Sequence, residues 1–208
     1  MPRDAQRWNH NLHYLPAVLA AVPPGSRRAL DVGCGEGTLT RELRRRVAEV
    51  TGIDRDAPVL ELGRRQSEPG EITYVCGDFM AHPFEAASFD FITSVAALHH
   101  MDEAAALRRM AGLLAPGGRL AVLGIPHRRL PRELPRELAA GVAHRAIALR
   151  RGTWESPAPT VEPRRTYREL RRLFADELPA AELHRHLMWR YLLTWTRPAS
   201  RRAAAVEA

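Results

Sequence analysis

Five short apolar runs, at 28–33, 49–54, 71–76, 89–95 and 118–125, punctuate the chain between polar stretches. Each has the length of one strand and is apolar without alternation. That pattern predicts strands buried on both faces. Between them the apolar residues switch to helical spacing. Leu39, Leu43 and Val47 share one face. Asp56 can cap a helix that carries Pro58 in its first turn. Asp102 can cap another that buries Leu107, Met110 and Leu114, and Pro116–Gly117–Gly118 ends it. Strands alternating with helices require right-handed crossovers and a parallel sheet. An amphipathic helix precedes the first strand. It places His10, His13 and Tyr14 on one face and Trp8, Leu12 and Leu15 on the next, and Pro16 is expected to end or kink it.

The alternation breaks at 126–163. An overlapping repeat, Leu130–Pro131–Arg132–Glu133–Leu134–Pro135–Arg136–Glu137–Leu138, opens this segment. Leu138, Val142, Ala146 and Leu149 then form one apolar helical stripe, and Ser156–Pro157–Ala158–Pro159 reads as a loop. The segment is expected to be an inserted lid. Thr166–Tyr167–Arg168–Glu169 is a capping box that opens a helix with Leu170, Leu173 and Phe174 inward. Strands at 181–187 and 190–196 flank Met188–Trp189 and can form an antiparallel hairpin. The expected layout is one domain: an N-terminal helical lid over 1–24, a core over 25–125, the insertion, and a closing helix and strands over 164–208.

With 208 residues, 45% of them hydrophobic, the chain has material for a substantial core. No apolar run is long enough to span a membrane, and no apolar leader is read near Pro2. Cys34 and Cys76 lack metal-ligand spacing, so reduced thiols and a cytoplasmic setting are expected. The net charge is +7, and all 31 basic residues are arginine. The arginines fall in helical pairs such as Arg64–Arg65 and Arg171–Arg172, as solvated helix faces do. A dedicated nucleic-acid surface is therefore not expected.

The densest chemistry lies in Asp31–Val32–Gly33–Cys34–Gly35–Glu36–Gly37. A buried strand ends in a carboxylate, and glycines follow at alternate positions before a helix. Such a turn lets backbone approach a nucleotide-like ligand. A dinucleotide loop wants its third glycine at Thr38 and a positive helix end on pyrophosphate. A strand-end carboxylate suits a cationic ammonium or sulfonium instead, as on a nucleoside that carries an amino acid. Asp54 ends the second strand, where a carboxylate can accept both ribose hydroxyls. Asp78 follows the third and can accept from an adenine amine, with Phe79 over the ring.

These residues resemble the class I S-adenosylmethionine-dependent methyltransferases. Ala29–Thr40 is similar to the family's motif I, Val50–Asp56 to motif II and Val75–Phe79 to motif III. Phe91–Ser94 is similar to its fourth strand and Leu113–Leu120 to the turn after the following helix. The resemblance implies an α/β, Rossmann-like doubly wound sheet of seven strands, mostly parallel with an antiparallel last strand. It implies S-adenosyl-L-methionine as cofactor. Asp31 and the loop of Gly33, Cys34, Gly35 and Gly37 would hold its methionine part, Asp54 the ribose and Asp78, with Phe79, the adenine; Arg55 and Gly77 would be further cofactor-binding residues. Ser94 would lie near the transferred methyl. Trp8 and Tyr14 of the N-terminal helix would cap the cofactor.

If the nucleophile is a hydroxyl or protonated amine, a general base is needed. His99 and His100, in the loop after the fourth strand, are candidates, and so are His10 and His13. The remaining histidines, among them His144 and His186, call for no role. No metal is expected. A small-molecule acceptor, methylated at O, N or C, is favoured by the insertion and by Ser94–Val95–Ala96–Ala97, where an adenine-amine enzyme needs Asn/Asp-Pro-Pro-aromatic. A nucleic-acid or protein methyltransferase, and a non-methylating enzyme on the same fold, are the alternatives. The oligomer is expected to be a monomer or a homodimer.

Overall fold

The computed structural model describes residues 7–127, 134–155, 157 and 161–199. In chain order its elements are α1 (His10–Ala20), β1 (Arg28–Val32), α2 (Thr38–Arg44), β2 (Glu49–Asp54), α3 (Ala57–Arg65), β3 (Thr73–Cys76), β4 (Phe89–Val95), a single 3-10 turn at Leu98–His100, α4 (Glu103–Leu113), β5 (Leu114–Gly124), α5 (Leu134–Arg151), α6 (Tyr167–Glu177), β6 (Glu182–Arg185) and β7 (Tyr191–Thr196). The strands form one seven-stranded sheet in the order β3-β2-β1-β4-β5-β7-β6. β1 to β5 pair in parallel, and β7 is antiparallel to both β5 and β6. The order reverses direction at β1, and β1 and β4 lie side by side. In such sheets ligands bind at this switch, beyond the carboxyl ends of the strands.

Both faces are covered, as the continuous apolar runs require. Leu30, Ile92, Leu120 and Val122 turn to one face and pack with Leu107 and Met110 of α4 and Phe174 of α6. Their neighbours Ala29, Phe91, Ala121 and Leu123 turn to the other, against Leu15, Val18 and Leu19 of α1 and Leu39 and Leu43 of α2. The caps form as read. Val59 N–H donates to Asp56, Ala105 N–H to Asp102, and Thr166 and Glu169 make the reciprocal capping box.

Several boundaries differ from expectation. α1 runs through Pro16 to Ala20, because Val18 and Leu19 beyond it are buried. α2 stops at Arg44, and Val47 is buried from the following turn. Leu114 begins β5 instead of ending α4, and the expected turn at 116–118 is an irregularity inside that strand's ladder. β3 starts at Thr73. The largest correction concerns α5. Its apolar stripe faces outward: Leu138 is 63%, Val142 72% and Leu149 81% exposed. The inward face instead carries the buried Ala140 and the half-buried Arg136, Glu137 and His144. The start of the repeat (130–133) and most of the loop expected at 156–159 lie outside the described residues.

Candidate active site

The glycine loop leaves β1 with Gly33, Gly35 and Gly37 all at positive φ. At two of these positions no side chain fits. A Cβ on Gly33 would lie 2.2 Å from that of Ala97, and one on Gly37 2.1 Å from the Tyr74 hydroxyl. The loop is tied to β2 by Gly33 and Cys34 N–H groups that both donate to the Ile53 carbonyl, at 2.8 and 3.1 Å. Asp54 fixes the loop's tip. One carboxylate oxygen accepts from Gly35 N–H at 2.8 Å and the other from Asp56 N–H at 3.0 Å.

Asp31 is 2% exposed and accepts a 2.7 Å hydrogen bond from the Thr40 hydroxyl. Burial raises its carboxyl to about 7, the Thr40 bond works against that rise, and the charge of Asp54 adds to it. Burial beside Asp31 and Asp54 also pushes the Cys34 thiol up. Two carboxylates thus converge on a loop that has glycine at alternate positions. A cation placed there relieves the cost of ionising Asp31. Gly77 N–H donates to the Asp54 carbonyl at 2.9 Å, which sets Asp78 at the neighbouring strand end. Asp78 itself is exposed and accepts from Met80 N–H at 2.9 Å. Phe79 is not an open platform. Its ring is buried in the core beneath the Arg109 guanidinium, 5.3 Å away. Arg55 is exposed. Ser94 is fully buried near the end of β4, and its hydroxyl, like that of Thr93, has no hydrogen-bond partner among the described residues.

His99 and His100 occupy the turn after β4, with ring centroids 4.5 Å apart. Burial lowers His99 to about 4, and His100 adds to the drop; a hydrogen bond to the Val161 backbone opposes it. His100 is lowered by burial, and the charge of Asp54 works against that drop. His10 and His13 lie elsewhere, in an aromatic cluster where α1, α5 and the β6–β7 hairpin meet. The His10 and His144 rings share a 2.9 Å hydrogen bond. Trp8, 2% exposed, packs edge-on against His10 and His13. Tyr14 stacks on His186 and donates to the Leu187 carbonyl at 3.1 Å. Burial again lowers His10, to about 4, and it lowers His13.

The N-terminal segment is held down on the loop. Arg7 pairs with Glu36 at 2.7 Å and lies 4.8 Å over the Trp154 ring, and Trp154 N–H donates to the Trp8 carbonyl at 2.8 Å. Glu36, Tyr74, Thr40 and Arg190 had no signal in the sequence beyond residue type. His144 and His186, passed over there, join the cluster. Among the described residues no group of three or more His, Cys, Asp or Glu could hold a metal ion. Two surface clefts lie away from the site: one, about 280 Å³, at the opposite strand ends around Arg28 and Glu49, another of about 380 Å³ beside Tyr167 and Phe174.

A glycine loop, strand-end carboxylates and a sheet switch define the class I methyltransferase arrangement, and comparison with known proteins agrees. The family model described as a methyltransferase domain matches residues 30–122. An uncharacterised methyltransferase of Mycobacterium tuberculosis is 39% identical over 198 residues, which cover 93% of this chain and 98% of that one. A 2-phytyl-1,4-naphthoquinone methyltransferase of Thermosynechococcus vestitus is 41% identical over 109 residues, 50% of this chain and 48% of its own. Among solved structures, an S-adenosylmethionine-dependent methyltransferase of Mesorhizobium loti superposes with TM-score 0.64 at 20% identity, over 88% of this chain and 97% of that one. The chain belongs to the methyltransferase domain family. It is an S-adenosylmethionine-dependent methyltransferase.

Proposed function

We propose that this enzyme methylates an O, N or C atom of a small molecule, with the cofactor held by the glycine loop and the three strand-end carboxylates. The observation that carries the reading is the convergence of Asp31 and Asp54 on the glycine loop at the sheet switch. Asp31 would face the cofactor's cationic amino-acid end, Asp54 the ribose and Asp78 the adenine. S-adenosylmethionine supplies an electrophilic methyl on a sulfonium. The chain's work is to align the acceptor in line with that methyl and to exclude water. α1 and α5 would act as the lid. They would close the site with aromatic and histidine side chains, which suits a compact, partly apolar acceptor more than a polymer. Relatives that act on naphthoquinones support this, over about half of the chain. His99 and His100, in the turn after β4, would lie at the mouth of the site, where either ring would contact the cofactor or the acceptor.

Calorimetric titration with S-adenosylmethionine tests the cofactor assignment. Wild type should bind, and Asp54→Asn should lose most of that affinity while keeping its fold by circular dichroism. Release of S-adenosylhomocysteine with small molecules, transfer RNA and protein in parallel tests the acceptor class. Turnover with RNA or protein alone contradicts it.

A further inference from the structure

Arg190 is a buried cation without a counter-charge among the described residues. It is 8% exposed. Its Nε donates to the Asn11 side-chain oxygen at 2.7 Å and its Nη1 to the Trp189 carbonyl at 3.0 Å. Both acceptors are neutral. None of the ion pairs among the described residues includes it. Glu137, the carboxylate on the facing helix, accepts instead from the Trp189 indole at 2.8 Å. Burying a guanidinium among dipoles alone is costly, and an anion placed beside it recovers that cost. The N-terminus of α1, which carries Asn11, adds a further positive potential.

The hairpin tip that presents Arg190 is held from both sides. Tyr14 of α1 donates to the Leu187 carbonyl at 3.1 Å, and Arg136 of α5 donates to the Arg185 carbonyl at 3.3 Å and to that of His186. Met188 and Trp189 adopt φ of 45° and 57°, a left-handed backbone that such side chains seldom take. Strain of this kind persists where the surroundings enforce it, and it gathers at ligand sites. The position also fits. Arg190 acts on His10 and on His99, whereas Asp54 acts on His100. The strand register gives the place: Tyr191, next to Arg190, pairs with Gly124 at the carboxyl end of β5, and Leu123 beside it pairs with Val95 at the carboxyl end of β4, so Arg190 lies at the same end of the sheet as the His99–His100 turn.

We propose that Arg190 anchors an anionic oxygen group of the methyl acceptor, so that the acceptor is a small acid: a carboxylic acid, or an ionised enol or phenol. The proposal rests on the reading of the glycine loop as the cofactor site. It also accounts for the neighbouring histidines. A ring that titrates near 4 is a weak base at neutral pH. An acid acceptor arrives already deprotonated. When its anionic oxygen is the nucleophile, an oxygen lone pair forms the bond to the methyl carbon as the carbon–sulfur bond breaks. The bonding pair returns to sulfur, and ester or ether and neutral thioether leave with no proton to remove.

The test titrates octanoate, 2-naphthoate and their methyl esters into the protein saturated with S-adenosylhomocysteine. Wild type should bind at least one acid about tenfold or more tighter than its ester. Arg190→Gln should erase that preference and leave S-adenosylhomocysteine affinity within about twofold. Arg190→Lys, which keeps the charge, should retain part of the preference, and it carries the test if Arg190→Gln does not fold. Equal binding of acid and ester, no acid binding below ~10 mM, or an acid preference that survives Arg190→Gln overturns the proposal. A purely structural role for Arg190 would weaken acid and ester alike. Failure of wild type to bind S-adenosylhomocysteine would instead count against the cofactor site.

Discussion

Asp31 is under two opposed demands. The fold buries it and so raises its carboxyl to about 7, whereas a cation at the glycine loop favours its ionised form. With no cation beside it the group is therefore partly protonated near neutral pH, and a cofactor bound there would expel the proton. By linkage, affinity for S-adenosylmethionine rises with pH through 6 to 8, at up to about tenfold per unit on the acid side. Calorimetry in two buffers of different ionisation heat should detect the released proton, and Asp31→Asn should flatten the profile. A flat profile in wild type removes Asp31 from the site. Gly37 offers a second check. Gly37→Ala combines φ of 77° with a Cβ 2.1 Å from the Tyr74 hydroxyl, and should cost about 1–3 kcal/mol in urea unfolding. Tyr74→Ala should relieve the clash and leave the backbone strain. Asp31, the glycines, Asp54 and Asp78 were legible because strand ends and turn residues sit together in sequence. Arg190 was not, since its partner Asn11 lies 179 residues away.

Helix α5 shows how amphipathic spacing can mislead about direction. Leu138, Val142 and Leu149 share a stripe, and a stripe ordinarily faces the core. Here the inner face is set by polar pairings: Glu137 with Trp189, His144 with His10, Arg136 with the hairpin carbonyls. These partners come from α1 and from the end of the chain, so nothing local in the sequence distinguishes the two faces. The consequence is measurable. Leu138→Ser and Leu149→Ser should each change stability by no more than about 0.5 kcal/mol. Ala140→Leu, at the buried position, should overpack the interface and cost about 1–3 kcal/mol. A large loss from either serine variant would place the stripe against protein. The sheet strands were easier to read, because burial on both faces leaves an uninterrupted apolar run. Leu114 was misplaced because a buried leucine fits the end of α4 and the start of β5 equally well.

At the scale of the molecule, folding buries histidines that the unfolded chain exposes, and stability must follow pH accordingly. Burial lowers His10 and His99 to about 4 from 6.5, and it also lowers His13, His100 and His186. Between pH 6.5 and about 4 the unfolded chain holds more histidine protons than the folded one, so acidification through that window favours unfolding. Asp31 and Glu103, both raised by burial, act in the opposite sense, because the folded chain holds their protons to higher pH. Five lowered histidines against two raised carboxyls leave the histidine direction dominant. The melting temperature of the cofactor-free protein should therefore fall steadily from pH 7 to pH 5. His10→Gln should make that slope shallower by removing one of the two most strongly shifted rings. S-adenosylmethionine should make it steeper, since a cation beside Asp31 ionises the carboxyl and cancels its opposing contribution. A melting temperature that stays level from pH 7 to pH 5 would mean that these histidines already meet solvent, and hence that α1, α5 and the hairpin stand open over the sheet.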